Sequence, residues 1–211
     1  MSDLQAHLNA WRAVLSSIGV EISQYLHPGA PRDTLDQVEA EINYELPSEL
    51  RELYLLHNGQ EDPFNLGIPE HGKFNAGLFG CFNFDPIDKA LCGYRMWLEI
   101  YEQAGDRFDS DFDHITVRED DPVAARYWQP GWFPFATDGG GNSLAVDLSP
   151  PKEGTVGQII VIGPDEDIRR VLAASISDFF MRIARDFDHE YHMTDRVIGG
   201  KHQCTLYYAI E

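Results

Sequence analysis

Two short apolar segments on either side of a glycine-rich turn constrain the fold of this chain more than any other feature. Residues 132–137 and 143–148 each have the length and composition of a buried strand. Only a short turn, rich in glycine, separates them. Antiparallel strands can be joined in this way, whereas parallel strands need a crossover of about a dozen residues or more. The pattern therefore predicts a β-hairpin and, with it, an antiparallel sheet.

The residues of the turn are predicted to serve backbone geometry. They are Asp138, Gly139, Gly140, Gly141 and Asn142. Glycine adopts a positive φ without steric cost, so we expect at least one of the three glycines to do so. Asp and Asn side chains hydrogen-bond to nearby backbone groups and should support the turn. A phosphate-binding loop is the alternative, but no Lys-Ser or Lys-Thr pair follows, and the turn leads into a strand rather than a helix.

Helical periodicity flanks the hairpin on both sides. Helices are predicted from Leu4 to near Gly19, after a capping box at Thr34, from Pro47 to Asn58-Gly59, from Asp85-Pro86 to near Gly105, and over 168–187. Further strands are predicted over 78–84, 114–119 and 157–163, and residues 197–211 permit a last one. Together these elements predict an α+β fold: a single, mostly antiparallel sheet covered by helices, with an N-terminal helix and a long C-terminal helix.

Acidic residues far outnumber basic ones. The 211 residues include 35 Asp and Glu against 16 Lys and Arg, a formal charge of -19. Such a charge repels phosphate backbones and anionic membrane surfaces, so direct binding to nucleic acid or to a membrane is not expected. A basic protein would be attracted at long range. The composition therefore predicts a cationic protein partner.

The sequence shows neither the pattern of a targeting signal nor the cysteine spacing of a disulfide framework. It lacks a basic start followed by an apolar stretch, and its longest aliphatic run covers only 159–162, so a cytoplasmic protein is predicted. Cys81, Cys92 and Cys204 are odd in number and lack paired spacing, which argues against disulfides and a zinc site. No cofactor is expected.

Two segments resemble the SUKH superfamily, the Smi/Knr-type family that includes yeast cell-wall assembly regulators. The first begins at Leu46-Pro47 and closes at Asn58-Gly59, and the second runs from Trp132 through the glycine turn to Gly157-Gln158-Ile159. The resemblance covers about 34–191. It implies a single SUKH-like domain over 1–211, with an N-terminal helix extension at 1–33 and a C-terminal extension at 192–211.

The resemblance implies a non-enzymatic protein-binding domain. Many bacterial members are immunity proteins that neutralise toxins by binding them, so an immunity protein that binds a basic toxin domain is the first hypothesis. The alternative is a cytosolic regulatory scaffold of the cell-wall assembly type. A less favoured alternative is a metal-dependent hydrolase that uses His189 and His192, whose spacing differs from that of a His-Glu-x-x-His helix.

An acidic stretch, residues 106–121, is the candidate partner-binding surface. It holds seven acids against two arginines. The candidate residues are Asp109, Asp111, Asp113, Glu119, Asp120 and Asp121, together with Trp128, which is expected to be exposed while Trp132 lies in the core. A solvated loop is the alternative. The spacing of the first three acids also imitates a calcium loop, but His114 occupies the place where that loop needs glycine, so no metal is predicted.

Overall fold

The computed structural model describes residues 2–17, 20–61, 77–80, 82–105, 107–187, 193–198 and 201–206. The helices in these ranges are α1 (Asp3–Ser17), α2 (Arg32–Ile42), α3 (Ser48–Leu56), α4 (Ile87–Ala104), α5 (Arg107–Asp111) and α6 (Ile176–Asp186). The strands are β1 (Asn83–Phe84), β2 (Thr116–Val117), β3 (Trp132–Thr137), β4 (Ser143–Asp147), β5 (Gln158–Ile162), β6 (Ile168–Arg169), β7 (Val171–Ala173), β8 (Met193–Ile198) and β9 (Lys201–Leu206).

The central sheet has the strand order β1-β3-β4-β5-β7, and every neighbouring pair is antiparallel. β3 and β4 form the predicted hairpin, in which Thr137 pairs with Ser143 and Trp132 pairs with Asp147. Two smaller sheets consist of the parallel pair β2-β6 and the antiparallel pair β8-β9. The predicted α+β class, with its mostly antiparallel sheet, is confirmed.

The N-terminal and C-terminal helices share the core with the sheet. Leu4, Leu8, Trp11 and Leu15 are buried along one stripe of α1, as their spacing predicts. On α6, the ring of Phe180 stacks on Phe79 at 5.0 Å, and Phe79 meets Phe135 of β3 at 5.1 Å. Each fully buried side chain of this size contributes about 1.5–3 kcal/mol relative to its exposed state, so this aromatic cluster stabilises the contact between helix and sheet.

A buried arginine ties the segment before β3 to the rest of the fold. Arg169 has no exposed surface, and its guanidinium donates hydrogen bonds to the carbonyl groups of Arg126 and Tyr127, both at 2.8 Å, and of Glu166. It also lies over the ring of Trp132, 6.0 Å from the centroid. Burial lowers the pKa of Arg169 to about 10, which still keeps the side chain charged near neutral pH.

The last helix begins later than the sequence predicts. Ile168 and Leu172 continue the helical spacing, but residues 168–169 and 171–173 form β6 and β7. Ala173 pairs with Ile159 of β5, so the backbone of this segment is hydrogen-bonded to the sheet. α6 begins only after Ser175, whose hydroxyl accepts a hydrogen bond from the Asp178 amide at 3.2 Å.

Three other predicted boundaries were wrong. α2 begins at Arg32, so Thr34 lies inside the helix and forms no capping box. The predicted strand over 78–84 is reduced to β1, because the chain turns back on itself through bridges that join Gly77 to Gly80 and Phe79 to Phe82. The strand predicted over 114–119 is limited to β2. Short apolar runs of this kind satisfy a strand pattern without having a partner strand along their whole length.

Candidate protein-binding site

The turn between β3 and β4 is held by side chains at both of its ends. The Asp138 carboxylate accepts hydrogen bonds from the amides of Gly140, at 2.7 Å, and Asn142, at 3.0 Å. The Asn142 side-chain amide donates to Asp138 at 2.7 Å and to the Asp165 carboxylate at 3.1 Å. The Asp165 amide returns a bond to the Asn142 side-chain oxygen at 3.1 Å. Hydrogen bonds therefore hold the turn in one conformation and connect it to the loop after β5.

Two glycines of the turn have the positive φ that the sequence predicts. The angle is 78° at Gly139 and 109° at Gly141. A Cβ atom on Gly141 would also lie 3.1 Å from the Pro164 ring. Gly140 is not among the residues with a positive φ. The glycines at 139 and 141 therefore meet a conformational requirement that the one at 140 does not.

The acidic side chains of residues 106–121 are mostly exposed in the described part of the chain. Asp109 and Asp111 belong to the short helix α5, and Asp109 lies 3.4 Å from the guanidinium of Arg126. Asp113, Glu119 and Asp120 are also exposed. Asp106, the first acid of the stretch, lies outside the described residues. These exposed carboxylates have the accessibility that a partner-binding role requires, and the role itself stays a prediction.

Asp121 differs from the other acids of the stretch. It is half-buried, and its carboxylate accepts a hydrogen bond from the amide of Val171 at 2.8 Å. Val171 belongs to β7, the last strand in the order of the central sheet. The Asp121 carboxylate thus satisfies a backbone N–H group at the edge of the sheet. This hydrogen bond gives Asp121 a structural role whether or not a partner binds nearby.

The predicted exposure of Trp128 was wrong. Its side chain is 1% exposed, and its ring meets the edges of Tyr94 at 5.6 Å and Tyr101 at 5.9 Å, both on α4. Trp132 is fully buried, as predicted. The sequence around Trp128 has no helical or strand-like hydrophobic periodicity that would predict burial of its side chain. Its burial depends on α4 and on the Arg169 hydrogen bonds, neither of which is a local feature of the sequence.

A groove that was not predicted from the sequence lies between α4 and the turn. Its volume is about 550 Å³. The residues that line it are Asp85, Lys89, Ala90, Cys92, Gly93, Met96, Trp97, Tyr127, Pro134, Thr137, Gly139, Gly141, Ser143 and Pro164. Most of them are apolar or small, and Met96 is 52% exposed. Met96 lies outside the buried stripe of α4, which consists of Ile87, Ala90, Leu91 and Tyr94, and this offset was the available signal for a second apolar face.

The predicted acidic stretch is close to one wall of this groove. Tyr127, on that wall, lies 5.3 Å from the ring of Trp97 and stacks on Phe112 at 4.0 Å. Phe112 directly follows α5, so the exposed acids of α5 border the region behind Tyr127. Burial raises the pKa of Tyr127, the charge of Arg169 opposes this, and the nearby carboxylates of Asp165 and Asp167 raise it further. The carboxylates of Asp165 and Asp167 therefore lie near this end of the groove.

The helix that forms the other wall is positioned by the Asn58-Gly59 pair. The Asn58 side-chain oxygen accepts a hydrogen bond from the amide of Ile87, the first residue of α4, at 2.9 Å. Gly59 has a φ of 79°, and a Cβ atom there would lie 2.3 Å from the Pro86 nitrogen. The carboxylate of Asp85, which directly precedes Pro86, accepts a hydrogen bond from the Thr137 hydroxyl at 3.2 Å and pairs with Lys89 at 2.7 Å. α3 ends at Leu56, and the Asn58-Gly59 pair that follows it anchors the start of α4.

Neither a metal site nor a membrane span is evident in the described part of the chain. Within it, no three His, Cys, Asp or Glu side chains are grouped as metal ligands. No helix there has the length and hydrophobicity needed to cross a membrane. His189 and His192, on which the hydrolase alternative depends, lie outside the described residues. The prediction of no metal stays a prediction.

Comparison with known proteins identifies relatives over most of the chain. Residues 29–182 match the model of the SMI1 / KNR4 family (SUKH-1). A KNR4/SMI1 homolog of Yarrowia lipolytica is 47% identical over 205 residues, which covers 78% of this chain and 28% of the relative. The glucan synthesis regulatory protein of Neurospora crassa is 29% identical over 188 residues, with 79% and 35% covered. The cell wall assembly regulator SMI1 of Saccharomyces cerevisiae is 23% identical over 209 residues, with 86% and 40% covered.

These relatives are much longer than the chain. The matched region spans between 28% and 40% of the length of the three relatives named above. The similarity therefore concerns one part of each fungal protein.

Proposed function

Since this chain belongs to the SMI1 / KNR4 family (SUKH-1), we propose that it is a non-enzymatic protein-binding domain with a regulatory role of the cell-wall assembly type. The observation that carries the proposal is the family match over residues 29–182, together with relatives that are named as regulators. A single domain over 1–211 that acts in the cytoplasm is part of the same proposal.

The regulatory role is favoured over the immunity role by the kind of relatives that the chain has. The fungal proteins are named for glucan synthesis and cell wall assembly, and those names refer to regulation. Toxin neutralisation thus stays an alternative that rests on the sequence resemblance and on the formal charge of -19. Both roles require binding to another protein, and both are compatible with an acidic surface that attracts basic partners.

The surface supports binding rather than catalysis. The groove beside α4 is mainly apolar, and the close ion pair of Asp85 with Lys89 in its lining joins groups that neutralise each other. Exposed apolar surface rimmed by polar groups is typical of interaction sites. The exposed acids of the acidic stretch supply the charge for long-range attraction.

Capture of the partner from the native cells tests the proposal. The tagged chain is cross-linked in the cells, the captured proteins are identified by mass spectrometry, and each candidate is then purified and titrated with the chain by calorimetry. The regulatory role predicts stoichiometric binding to an endogenous protein. Binding only to a toxin, with growth of toxin-expressing cells restored by the chain, would establish the immunity role instead. Absence of stoichiometric binding to every purified candidate would contradict both.

A further inference from the structure

The groove beside α4 continues into an apolar stripe along the exposed side of that helix. Met96, on the groove lining, is 52% exposed, and Ile100, one turn further along, is 41% exposed. Residues four apart on a helix are neighbours on its surface, so their side chains form a continuous patch. The other large hydrophobic residues that are exposed in the described ranges lie in three separate segments; they are Val156, Ile168 and Met181.

The floor and walls of the groove suit one large apolar side chain. Trp97 and Tyr127 present aromatic rings, and Met96 presents a flexible thioether that adapts to different shapes. The volume of about 550 Å³ lies within the range of sites that enclose a small ligand or a few side chains. Gly139 and Gly141 at the end of the groove carry no side chain, so a bound chain can approach their backbone closely.

The charges around the groove are mainly negative. Asp88 and Glu99 are exposed on α4, and Asp165 and Asp167 are exposed across the groove, beyond Pro164. α4 contains two basic residues, and each is already paired with a carboxylate: Lys89 with Asp85 at 2.7 Å, and Arg95 with Glu41 at 2.5 Å. An occupant that brings positive charge beside its apolar group would therefore meet a complementary rim.

We propose that this groove is the docking site for an extended segment of a partner protein in which one large apolar side chain is flanked by Lys or Arg. The apolar side chain lies in the groove against the paired rings of Trp97 and Tyr127 and contacts Met96. The flanking cations lie against the acidic rim. This inference rests on the proposed function, because it specifies the chemistry of the partner that such a domain would bind.

Short synthetic peptides provide the direct test. One set carries a single Trp flanked by Lys and Arg, a second set has Glu in place of the cations, and a third has Ser in place of the Trp. We expect the first set to bind the full chain in fluorescence anisotropy, and the other two to bind at least about tenfold more weakly, a difference of about 1.4 kcal/mol. Binding of the first set should weaken as salt is raised.

Matched variants connect the binding to the groove. Met96→Glu places a carboxylate where the apolar side chain of the peptide binds, and desolvation of this charge outweighs its attraction for the flanking cations, so affinity should fall about tenfold or more. Met181→Glu makes the same exchange at another exposed methionine, on α6, and should leave affinity unchanged. Because both methionines are exposed on the surfaces of their helices, we expect both variants to fold. As a measurement that needs no variant, addition of peptide to the parent chain should shift the amide NMR signals of Met96, Trp97, Gly139 and Gly141.

Three outcomes would overturn the docking site: no binding of the Trp-containing basic peptides, equal binding of the acidic set, or equal affinity of Met96→Glu and Met181→Glu. The proposed function is tested separately with the captured partner. If that partner binds the parent and Met96→Glu equally well, the chain is a protein-binding domain and this groove is not the site. If no captured protein binds the parent chain, the broader function fails as well.

Discussion

At the scale of single residues, the turn between β3 and β4 has two glycines under conformational constraint and one without it. Gly139→Val and Gly141→Val force a β-branched residue into a positive φ, which should cost about 1–3 kcal/mol. For a chain of this size each kcal/mol corresponds to a loss of about 2–4 °C in Tm. Gly140→Val is the matched control, because position 140 lacks the positive φ and should lose less. Equal Tm values for the parent and both Val variants would contradict this account.

His57 is a residue whose protonation the fold opposes. Its Nε2 atom lies 2.6 Å from an Arg12 nitrogen, and its Nδ1 atom lies 3.2 Å from the His27 carbonyl, so the hydrogen bonds assign its proton to Nδ1. Burial and the charge of Arg12 lower the pKa of His57 below its usual value, while the bond to His27 opposes the shift. A protonated Nε2 would face the Arg12 cation with a donor and with like charge.

This lowered pKa predicts a loss of stability in mild acid. Above about pH 6.5 His57 is neutral in the folded and unfolded states, so its pKa shift has no effect on the free energy of unfolding. As the pH falls below about 6.5, the unfolded state takes up the proton first, and stability decreases until the lower pKa of the folded state is reached. Urea titrations at about pH 7 and pH 5.5 should show a larger loss for the parent than for His57→Gln, which keeps an acceptor for Arg12 but does not titrate. An equal loss in both would show that His57 does not control this pH dependence.

At the scale of the elements, α4 depends on a side chain from the end of α3. Removal of the acceptor in Asn58→Ala leaves the first amide of α4 without its bond and should cost about 0.5–2 kcal/mol. Asn58→Asp keeps an acceptor and should lose less, as measured by chemical denaturation. Because α4 forms one wall of the groove, the Ala variant should also bind the basic peptides more weakly. If both variants are as stable as the parent, Asn58 does not position the helix.

The short helix α5 and the residues after it provide a test of the acidic stretch. Replacement of Asp109, Asp111 and Asp113 by Asn removes three charges and nearly preserves side-chain shape. The exposed pair of Asp109 with Arg126 contributes no more than about 1 kcal/mol, so stability should change little. The association rate with a captured basic partner should fall, and its dependence on salt should become weaker, whereas dissociation should change less. An unchanged rate and salt dependence in stopped-flow measurements would place the binding face elsewhere.

At the scale of the whole molecule, Arg169 joins β6, the segment before β3 and the central sheet. Arg169→Met leaves the carbonyl groups of Arg126, Tyr127 and Glu166 without their buried donor. Buried polar groups that lose a partner cost about 1–3 kcal/mol each, so the total loss should be about 3 kcal/mol or more. Arg169→Lys should recover only part of it, because an ammonium group lacks the planar arrangement of donors. A thermal melt that shows both variants to be as stable as the parent would refute this role.

The local elements of the fold were largely predictable from the sequence, and their boundaries were less so. The hairpin of β3 and β4 combines two apolar runs with a turn that contains the required glycines, and both signals are local. The buried stripe of α1 follows from helical spacing alone. Residues 168–173 were misassigned because their spacing fits a helix, while β5 offers hydrogen bonds that only the assembled sheet makes available.

The candidate site was predictable in its charge but not in its shape. Asp109, Asp111 and Asp113 are exposed, as a run of acids in a polar segment predicts, because desolvation of so many carboxylates would be costly. Trp128 could not be placed, because its burial depends on Tyr94 and Tyr101, which lie more than twenty residues earlier in the chain. The groove could not be predicted for the same reason: its walls come from three segments that are distant in the chain, namely α4, the turn and the loop after β5.

The sequence by itself determined the features whose physical causes act between near neighbours in the chain. These are the hairpin turn with its positive-φ glycines, the apolar stripe of the first helix, and the net negative charge. Only the tertiary structure decided that Trp128 is buried, that the Asp121 carboxylate accepts a hydrogen bond at the edge of the sheet, and where an apolar groove lies. The reason is that burial and hydrogen-bond partnership depend on surfaces supplied by distant segments, and those surfaces come together only when the sheet and α4 have packed.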